Sequence, residues 1–143
     1  MNSLIKKLCL LILPLLLVSC NDDDNYLDSL YSAIQGTWLV STSSYNNDDV
    51  LYTTQNTFEF QEDGNAYDRT IRYKEQKGEE TTQEVVNEIH YTYLLDIENH
   101  RIYLNINGAH TYTCIVTSLT AKKMEISILD KWNNGKKQTW TRM

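Results

Sequence analysis

The sequence predicts an all-β protein, an up-and-down antiparallel barrel of about eight strands that follows a short N-terminal helix. Tyrosine and threonine, which favour strands, are frequent, and the chain has 10 tyrosines and a single proline. Polar turn signals recur at intervals of about a dozen residues, and such short connections join antiparallel neighbours. Because closure alone removes the unpaired strand edges, the pattern favours a closed barrel over an open sheet.

Residues 1–19 are typical of a secretory signal peptide. Lys6 and Lys7 precede a mostly apolar run over 8–18, which is shorter than the roughly 20 residues of a spanning helix and is interrupted by Pro14. The run ends in Leu-Val-Ser-Cys, which resembles the lipobox of bacterial lipoproteins. That resemblance implies cleavage before Cys20 and acylation of its thiol and new amino terminus. The alternatives are a plain signal peptide with a chance cysteine, or an uncleaved anchor.

Residues 20–25 are expected to form a lipidated acidic linker. Two or more acyl chains anchor a protein stably, so acylated Cys20 is the expected contact with the membrane. The acidic run of Asp22, Asp23 and Asp24 resembles the export tag of surface lipoproteins in some Gram-negative gut bacteria. This resemblance implies an outer membrane lipoprotein exposed at the cell surface. The alternative is a solvated linker, which leaves the periplasmic face of the membrane open as a location.

Charge and cysteine content narrow the functions of the mature chain. Without residues 1–19, the chain keeps 11 basic and 19 acidic residues, a net charge of −8. This balance repels phosphate backbones, so no nucleic-acid partner is expected. Cys9 leaves with the signal peptide and Cys20 is lipidated, so Cys114 has no partner for an intrachain disulfide. Its place between Thr113 and Ile115, in a strand-like run, favours burial.

Residues 26–143 are predicted to form one domain that begins with a helix. Its apolar positions follow helical spacing and predict a short amphipathic helix over 26–34, with a disordered tether as the alternative. These positions are Tyr26, Leu27, Leu30, Tyr31 and Ile34.

Eight strands are predicted after this helix, at 36–45, 53–61, 66–75, 84–96, 101–107, 110–118, 122–130 and 136–142. Alternation of apolar and polar residues supports them and places Ile102, Leu104 and Ile106 on one face of the fifth strand. Met124, Ile126 and Ile128 repeat the pattern in the seventh. The dipeptides Asp63-Gly64, Asn107-Gly108 and Asn134-Gly135 predict tight turns between strands.

The two ends of the predicted barrel carry a pair of motifs. Gly36-Thr37-Trp38 opens the first strand, and Trp140-Thr141-Arg142 closes the last. Together they resemble the calycin pattern of lipocalins and fatty-acid-binding proteins. The resemblance implies that Trp38 lies at the closed end of the barrel and that Arg142 packs across its indole. A guanidinium in that position gains about 0.5–2 kcal/mol of cation–π energy.

A narrower resemblance covers residues 16–143, which are similar to the small lipocalin-like lipoproteins of gut bacteria. Phe58-Glu59-Phe60 before Asp63-Gly64, and the run 112–120 before Met124, fit that pattern in order. The barrel region, 36–142, spans 107 residues and is short beside typical lipocalins. Because eight strands enclose only side chains or one small ligand, a large lipid cavity is not expected.

The sequence offers little chemistry for an enzyme. It contains no Gly-x-Ser-x-Gly motif and no glycine loop that would cradle a phosphate. Zinc needs three or four converging ligands, and the spacing of His90, His100 and His110 does not require such a site. We therefore expect a protein that is not an enzyme and that uses no metal or other cofactor.

The candidate ligand-binding residues are mainly aromatic. Alternation puts Tyr67, Arg69 and Tyr73 on one face of the third strand, and Tyr91 and Tyr93 on one face of the fourth. Tyrosines combine apolar area with a hydroxyl, as pockets for amphipathic ligands require. Arg69 could pair with a ligand carboxylate. The alternatives are that the tyrosines take part in ordinary sheet packing, inside or outside the barrel, and that Arg69 is an exposed arginine.

These observations predict a lipid-anchored lipocalin-like protein of the cell envelope that binds a small apolar or amphipathic molecule. The alternative is a surface protein-interaction or inhibitor module, a filled barrel displayed on the anchor that recognises a partner through its loops. The interior distinguishes the two functions, because an empty space lined by tyrosines favours a ligand and a filled interior places the function at the surface.

Overall fold

The structure, a computed structural model, describes residues 26–130 and 134–143. A 3₁₀ helix, Leu27–Ser29, leads into helix α1, Leu30–Ala33. Eight strands follow: β1 Gly36–Asn47, β2 Val50–Phe60, β3 Asn65–Gln76, β4 Thr82–Asp96, β5 Arg101–Ile106, β6 Ala109–Leu119, β7 Lys123–Leu129 and β8 Asn134–Arg142. The predicted signal peptide and the predicted lipidated linker lie outside the described residues.

The strands form a closed antiparallel barrel in sequence order, which confirms the predicted fold class. Each strand pairs with the next, and β1 returns to β8. That last pairing is short and joins Trp38 to Arg142 and Leu39 to Thr141. On its other side β1 pairs with β2 along its length, from Gly36 with Phe60 to Asn47 with Val50.

The first four strands are longer than the barrel requires. They have 12, 11, 12 and 15 residues, whereas β5 and β7 have 6 and 7. Because β4 pairs with β5 only over 92–96, the far ends of β1 to β4 form a four-stranded sheet that continues the barrel wall. We call this sheet the strand extension and define it as residues 41–47, 50–56, 70–76 and 82–87.

The first hairpin is tighter than the sequence predicts. A loop over 46–52 was expected, but Asn47 pairs directly with Val50 and the turn consists of Asp48 and Asp49. Asp48 adopts a positive φ of 53°, which aspartate tolerates in such a turn. The Tyr45 and Tyr52 rings stack across the hairpin with centroids 5.1 Å apart, so cross-strand packing extends the ladder to the turn.

The hairpin between β5 and β6 turns at Asn107-Gly108, as predicted. Ile106 pairs with Ala109, and both residues between them have positive φ, 50° at Asn107 and 78° at Gly108. Asn-Gly is the favoured dipeptide for this geometry. The prediction is wrong for Asn134-Gly135, because both residues lie within β8, where Asn134 pairs with Leu129.

The core fills the barrel and is sealed by the helical segment. Leu30 and Ile34 are fully buried among the aromatic residues of the barrel end. Tyr31 departs from the predicted apolar face, because it is 50% exposed and its hydroxyl donates to the Glu62 carbonyl at 2.8 Å. Cys114 is a fully buried free thiol, in agreement with the expectation from its strand.

Candidate functional site

The closed end of the barrel is held by the last strand. The guanidinium of Arg142 lies 4.2 Å from the centre of the Trp38 ring, the arrangement that the calycin resemblance implies. Arg142 also donates hydrogen bonds to the carbonyls of Ala33, Gln35 and Ala121. The Trp38 indole in turn donates to the Ile34 carbonyl at 2.8 Å. The two side chains therefore tie the helical segment to both ends of the strand order.

Gly36 is required at this end of the barrel. Its φ is 102°, and a Cβ at this position would lie 3.3 Å from Nη1 of Arg142. Both observations explain the glycine that opens the Gly-x-Trp motif, because an L side chain rarely adopts that φ and would crowd the guanidinium.

The strand register separates the five predicted ligand-binding residues into two sets. Buried Phe58 pairs with Asp68, and Asp68 pairs with Ile89, so these three residues share the inner face. Side chains alternate along a strand, so Tyr91 and Tyr93 also point inward. Tyr67, Arg69 and Tyr73 occupy the opposite face of β3. The expectation of one shared pocket is therefore corrected.

The outward set forms a network of its own around Arg69. Its guanidinium pairs with the carboxylates of Glu59 and Glu88, the latter at 2.6 Å, and lies 4.8 Å from the centre of the Tyr67 ring. The His90 ring stacks on the same Tyr67 ring, with centroids 4.9 Å apart. The hydrogen bonds from Arg69 hold the pKa of Glu59 below its usual value. Arg69 is thus committed to side chains of its own sheet.

The inward tyrosines are part of the packed core. Tyr91 and Tyr93 are each 5% exposed. Tyr91 stacks on Phe58 and meets the edge of Tyr112, with ring centroids 5.8 and 5.7 Å away. Tyr93 donates its hydroxyl proton to the Gln61 carbonyl at 2.6 Å. Both rings therefore contact neighbouring side chains where the sequence predicted a ligand.

A polar group lies above this core, on the inner face of β3. Asp68 is half-buried, and burial raises the pKa of its carboxyl. Burial also raises the pKa values of the nearby Tyr91 and Tyr112 hydroxyls. Beyond Asp68, Thr70 donates to the Asn56 side-chain carbonyl at 3.0 Å, and Asn56 donates to Ser41 at 3.0 Å. The inner face thus changes from apolar to polar where the strand extension begins.

The inner face of the strand extension holds a cavity of about 300 Å³. It is lined by Tyr52, Arg72, Lys74, Thr82, Gln83 and Glu84. Arg72 pairs with Glu84 in the register and donates to it at 3.2 Å. Nε of Arg72 is buried and has no hydrogen-bond partner among the described residues, an arrangement that costs about 1–3 kcal/mol or more.

Sequence reasoning missed this cavity for a definable reason. Arg72 and Lys74 lie on the other face of β3 from Tyr67, Arg69 and Tyr73. The sequence predicts the more aromatic of the two faces as the binding face. The available signal was the register with β2, because Phe58 and Phe60 fix which face of β3 is inward. A packed face would carry apolar residues at the even positions of β3, but these positions are polar or charged from Asp68 onward.

Three other cavities are lined by described residues at different places on the barrel. One of about 490 Å³ adjoins the helical segment and Arg142, one of about 500 Å³ lies at the hairpin ends near Asp49 and Lys77, and one of about 290 Å³ lies between Thr117 and Lys137. Neither Tyr91 nor Tyr93 lines any of the four.

Over residues 26–130 and 134–143, no three His, Cys, Asp or Glu side chains come close enough to hold a metal ion. His90 and His110 instead contact Asn65 and Thr113, at 2.7 and 3.3 Å. In the same part of the chain, neither helix has the length and apolar character needed to cross a bilayer.

Comparison of the chain with protein-family models, with curated proteins and with solved structures found no match in any of the three.

Proposed function

We propose that this protein is a lipid-anchored binding protein of the cell envelope that holds a small amphipathic molecule in the strand extension. The observation that carries the proposal is the cavity of about 300 Å³ on the inner face of the extension. Its volume falls at the lower end of the range for small-molecule sites, about 300–1,000 Å³. One wall is the Tyr52 ring and another is the pair of cations Arg72 and Lys74. A ligand with an apolar body and a polar group fits both.

The distribution of packed side chains along the barrel also supports a ligand site in the strand extension. At the closed end, the aromatic rings of Phe58, Phe60 and Trp140 contact one another at centroid distances of 5.0 to 6.4 Å. On the inner face of the extension, the residues of β2 and β3 are half-buried and those of β1 and β4 are exposed, and this face has no facing strand among the described residues. The extension therefore offers concave surface to a ligand without any rearrangement of the core.

Binding of N-phenyl-1-naphthylamine, an uncharged amphipathic fluorophore, tests the proposal. A chain that starts at Asn21 suits the titration, because every core residue lies within residues 30–140 and no acyl chain competes for the probe. We expect one probe per protein and at least tenfold weaker binding for Tyr52→Ala. Tyr103→Ala, in a half-buried tyrosine that contacts His110, is the matched control and should keep the wild-type affinity. Absence of one-to-one binding would contradict the proposal.

The location at the envelope follows from the sequence features of the first 25 residues. The lipobox-like run supports an anchor at Cys20, and the adjacent acidic run supports display on the outer membrane at the cell surface. Replacing Asp22, Asp23 and Asp24 together with Ala should leave the protein lipidated but protected from protease added to intact cells. Unchanged digestion would reduce the run to a linker and leave the periplasmic face as the location.

A second candidate function, recognition of a protein partner, is favoured by the outer face of β3 and β4. Tyr67, Arg69 and Tyr73 lie on this face beside Val85, which is 58% exposed. Tyrosine and arginine are the residue types that dominate binding energy at protein interfaces. If no probe binds while the barrel folds normally, a photo-crosslinker at position 73 on intact cells tests this function, and absence of a crosslinked partner would contradict it.

A further inference from the structure

The cations of the strand extension are concentrated on one side of one cavity. Arg72 and Lys74 are two residues apart on the inner face of β3 and both line the cavity of about 300 Å³. Glu84 is the one carboxylate among the lining residues. The cavity therefore has a net positive charge in a protein whose overall charge is −6. Such a local excess favours an anionic ligand.

The Arg72–Glu84 ion pair leaves the guanidinium incompletely used. It joins Nη1 to Oε1 at 3.2 Å, and the two side chains are 41% and 64% exposed. Exposed pairs of this kind contribute little to stability. Nε of Arg72 is buried and lacks an acceptor among the described residues. Two parallel donors on one edge of a guanidinium match the two oxygens of a carboxylate, sulfonate or phosphate.

The neighbouring part of the same face, on β1 and β2, is aromatic, because Tyr52 pairs with Lys74 in the register. The Tyr45 and Tyr52 rings stack at 5.1 Å and 15°, and their register places both on the inner face. Tyr52 lines the cavity and Tyr45, which is 56% exposed, continues its surface toward the solvent. A flat or extended apolar body can lie against these rings while its charged end reaches Arg72.

We propose that the ligand of this cavity is an anionic amphiphile, whose oxyanion is held by Arg72 and Lys74 and whose apolar part lies against Tyr52 and Tyr45. The inference rests on the proposed function and adds the chemical class of the ligand. The Nε–Nη2 edge of Arg72 faces the oxyanion, and Nη1 keeps its ion pair with Glu84. Lys74 adds a second charge at the same end of the cavity.

A pair of related fluorophores tests the charge requirement. 8-Anilinonaphthalene-1-sulfonate differs from N-phenyl-1-naphthylamine by its sulfonate, so the two probes separate the oxyanion from the apolar body. With the chain that starts at Asn21, we expect the sulfonate probe to bind about tenfold more tightly, the effect of one charge-assisted hydrogen bond or more. Its binding should weaken as salt rises, whereas binding of the uncharged probe should not.

Arg72→Gln should lower the affinity for the sulfonate probe about tenfold and leave the uncharged probe unchanged. Arg101→Gln, an exposed arginine on β5, is the matched control and should change neither. If Arg72→Gln does not fold, Lys74→Gln takes its place, with Lys123→Gln as its control. Inorganic phosphate should displace the sulfonate probe only weakly, and displacement at low millimolar phosphate would show that a free anion is the ligand.

The outcomes separate the two proposals. Equal affinity for both probes, or an equal loss of both in Arg72→Gln, would overturn the anionic class while one-to-one binding of the uncharged probe kept the binding function. One-to-one binding of neither probe would overturn the binding function and the ligand class with it.

Discussion

The guanidinium of Arg142 lies 4.2 Å from the centre of the Trp38 indole, although the two residues come from the last and first strands of the barrel. Their backbones also pair with each other, and within residues 26–130 and 134–143 the other register pair between those strands is Leu39 with Thr141. Side-chain contact therefore reinforces the shortest pairing of the barrel.

Trp38→Ala should strongly destabilise the domain. The indole is fully buried and donates to the Ile34 carbonyl, so its removal leaves a large cavity under the helical segment. Replacing a buried Trp with Ala costs about 3–5 kcal/mol in the free energy of unfolding. Urea denaturation followed by circular dichroism measures the loss. Tyr103→Ala, in a half-buried tyrosine, should cost much less, and similar losses for both would argue against an anchor at Trp38.

The free energy of unfolding should depend on the shape of the side chain at position 142 as well as on its charge. Arg142→Ala removes the cation–π contact and three hydrogen bonds to carbonyls, and we expect a loss of about 1–3 kcal/mol in the free energy of unfolding. Arg142→Lys keeps the charge but cannot reach the same carbonyls with a planar fork, so it should recover only part of that loss. Full recovery by lysine would show that charge alone matters. Arg101→Ala supplies the baseline for an exposed arginine.

Alkaline pH should destabilise the barrel through Cys114. Burial raises the pKa of this thiol from about 9 to about 12, so the folded state disfavours the thiolate. The unfolded chain loses its proton first, and stability is therefore full below pH 9 and falls as pH rises toward 12. Burial also raises the pKa values of Tyr91, Tyr93 and Tyr112, which adds to the fall.

Urea denaturation at several pH values between 8 and 11.5, about the range over which the thiol titrates, measures this effect. Cys114→Ala should flatten the dependence in part, because the three tyrosines remain. In the chain that starts at Asn21 this is the only thiol, and Ellman's reagent at pH 8 should react with it only after unfolding. Fast reaction with the folded protein would contradict the buried position.

The fold could be predicted from the sequence, and so could the contact between Trp38 and Arg142 at the closed end of the barrel. Alternation and turn dipeptides located eight strands, because a residue such as Leu104 between Tyr103 and Asn105 has only one face compatible with burial. Strand ends were less predictable. Tyr45 and Tyr52 extend the first hairpin by stacking across it, and this pairing depends on a register that local sequence does not contain.

The candidate site could be predicted only in part. Alternation correctly grouped Tyr67 with Tyr73 and Tyr91 with Tyr93, but it does not say which face is inward. That choice depends on Phe58 pairing with Asp68, a contact between strands. The extension was missed for the same reason, because its cavity requires Arg72 and Tyr52 to be on one face of neighbouring strands.

Asp68→Asn should raise stability at neutral pH. Burial raises the pKa of the Asp68 carboxyl above 3.8, so this residue contributes full stability below about pH 3.8 and loses it as pH rises through the folded pKa. The amide removes the burial cost of the charge and keeps the shape. The free energy of unfolding should therefore be higher than wild type at pH 7, and the two proteins should converge toward pH 4. A variant less stable than wild type at pH 7 would contradict the sign.

Acylation should depend on Cys20 and on neither of the other cysteines. Labelling of cells with a radioactive or clickable fatty acid should mark the wild-type protein and lose the mark in Cys20→Ala. Cys9→Ala is a matched control within the apolar run, and it should keep the label because the lipobox-like residues Leu17-Val18-Ser19-Cys20 are intact. Cys114→Ala should keep it too, since that thiol is fully buried and out of reach of an acyl transferase.

Without acyl chains the protein should leave the membrane fraction, because a chain anchored by lipid alone depends on two or more of them for stable attachment. Equal labelling of Cys20→Ala and wild type would remove the assignment of Cys20 as the anchor. Loss of the label in Cys9→Ala would place the acylated cysteine at position 9, within the predicted signal peptide.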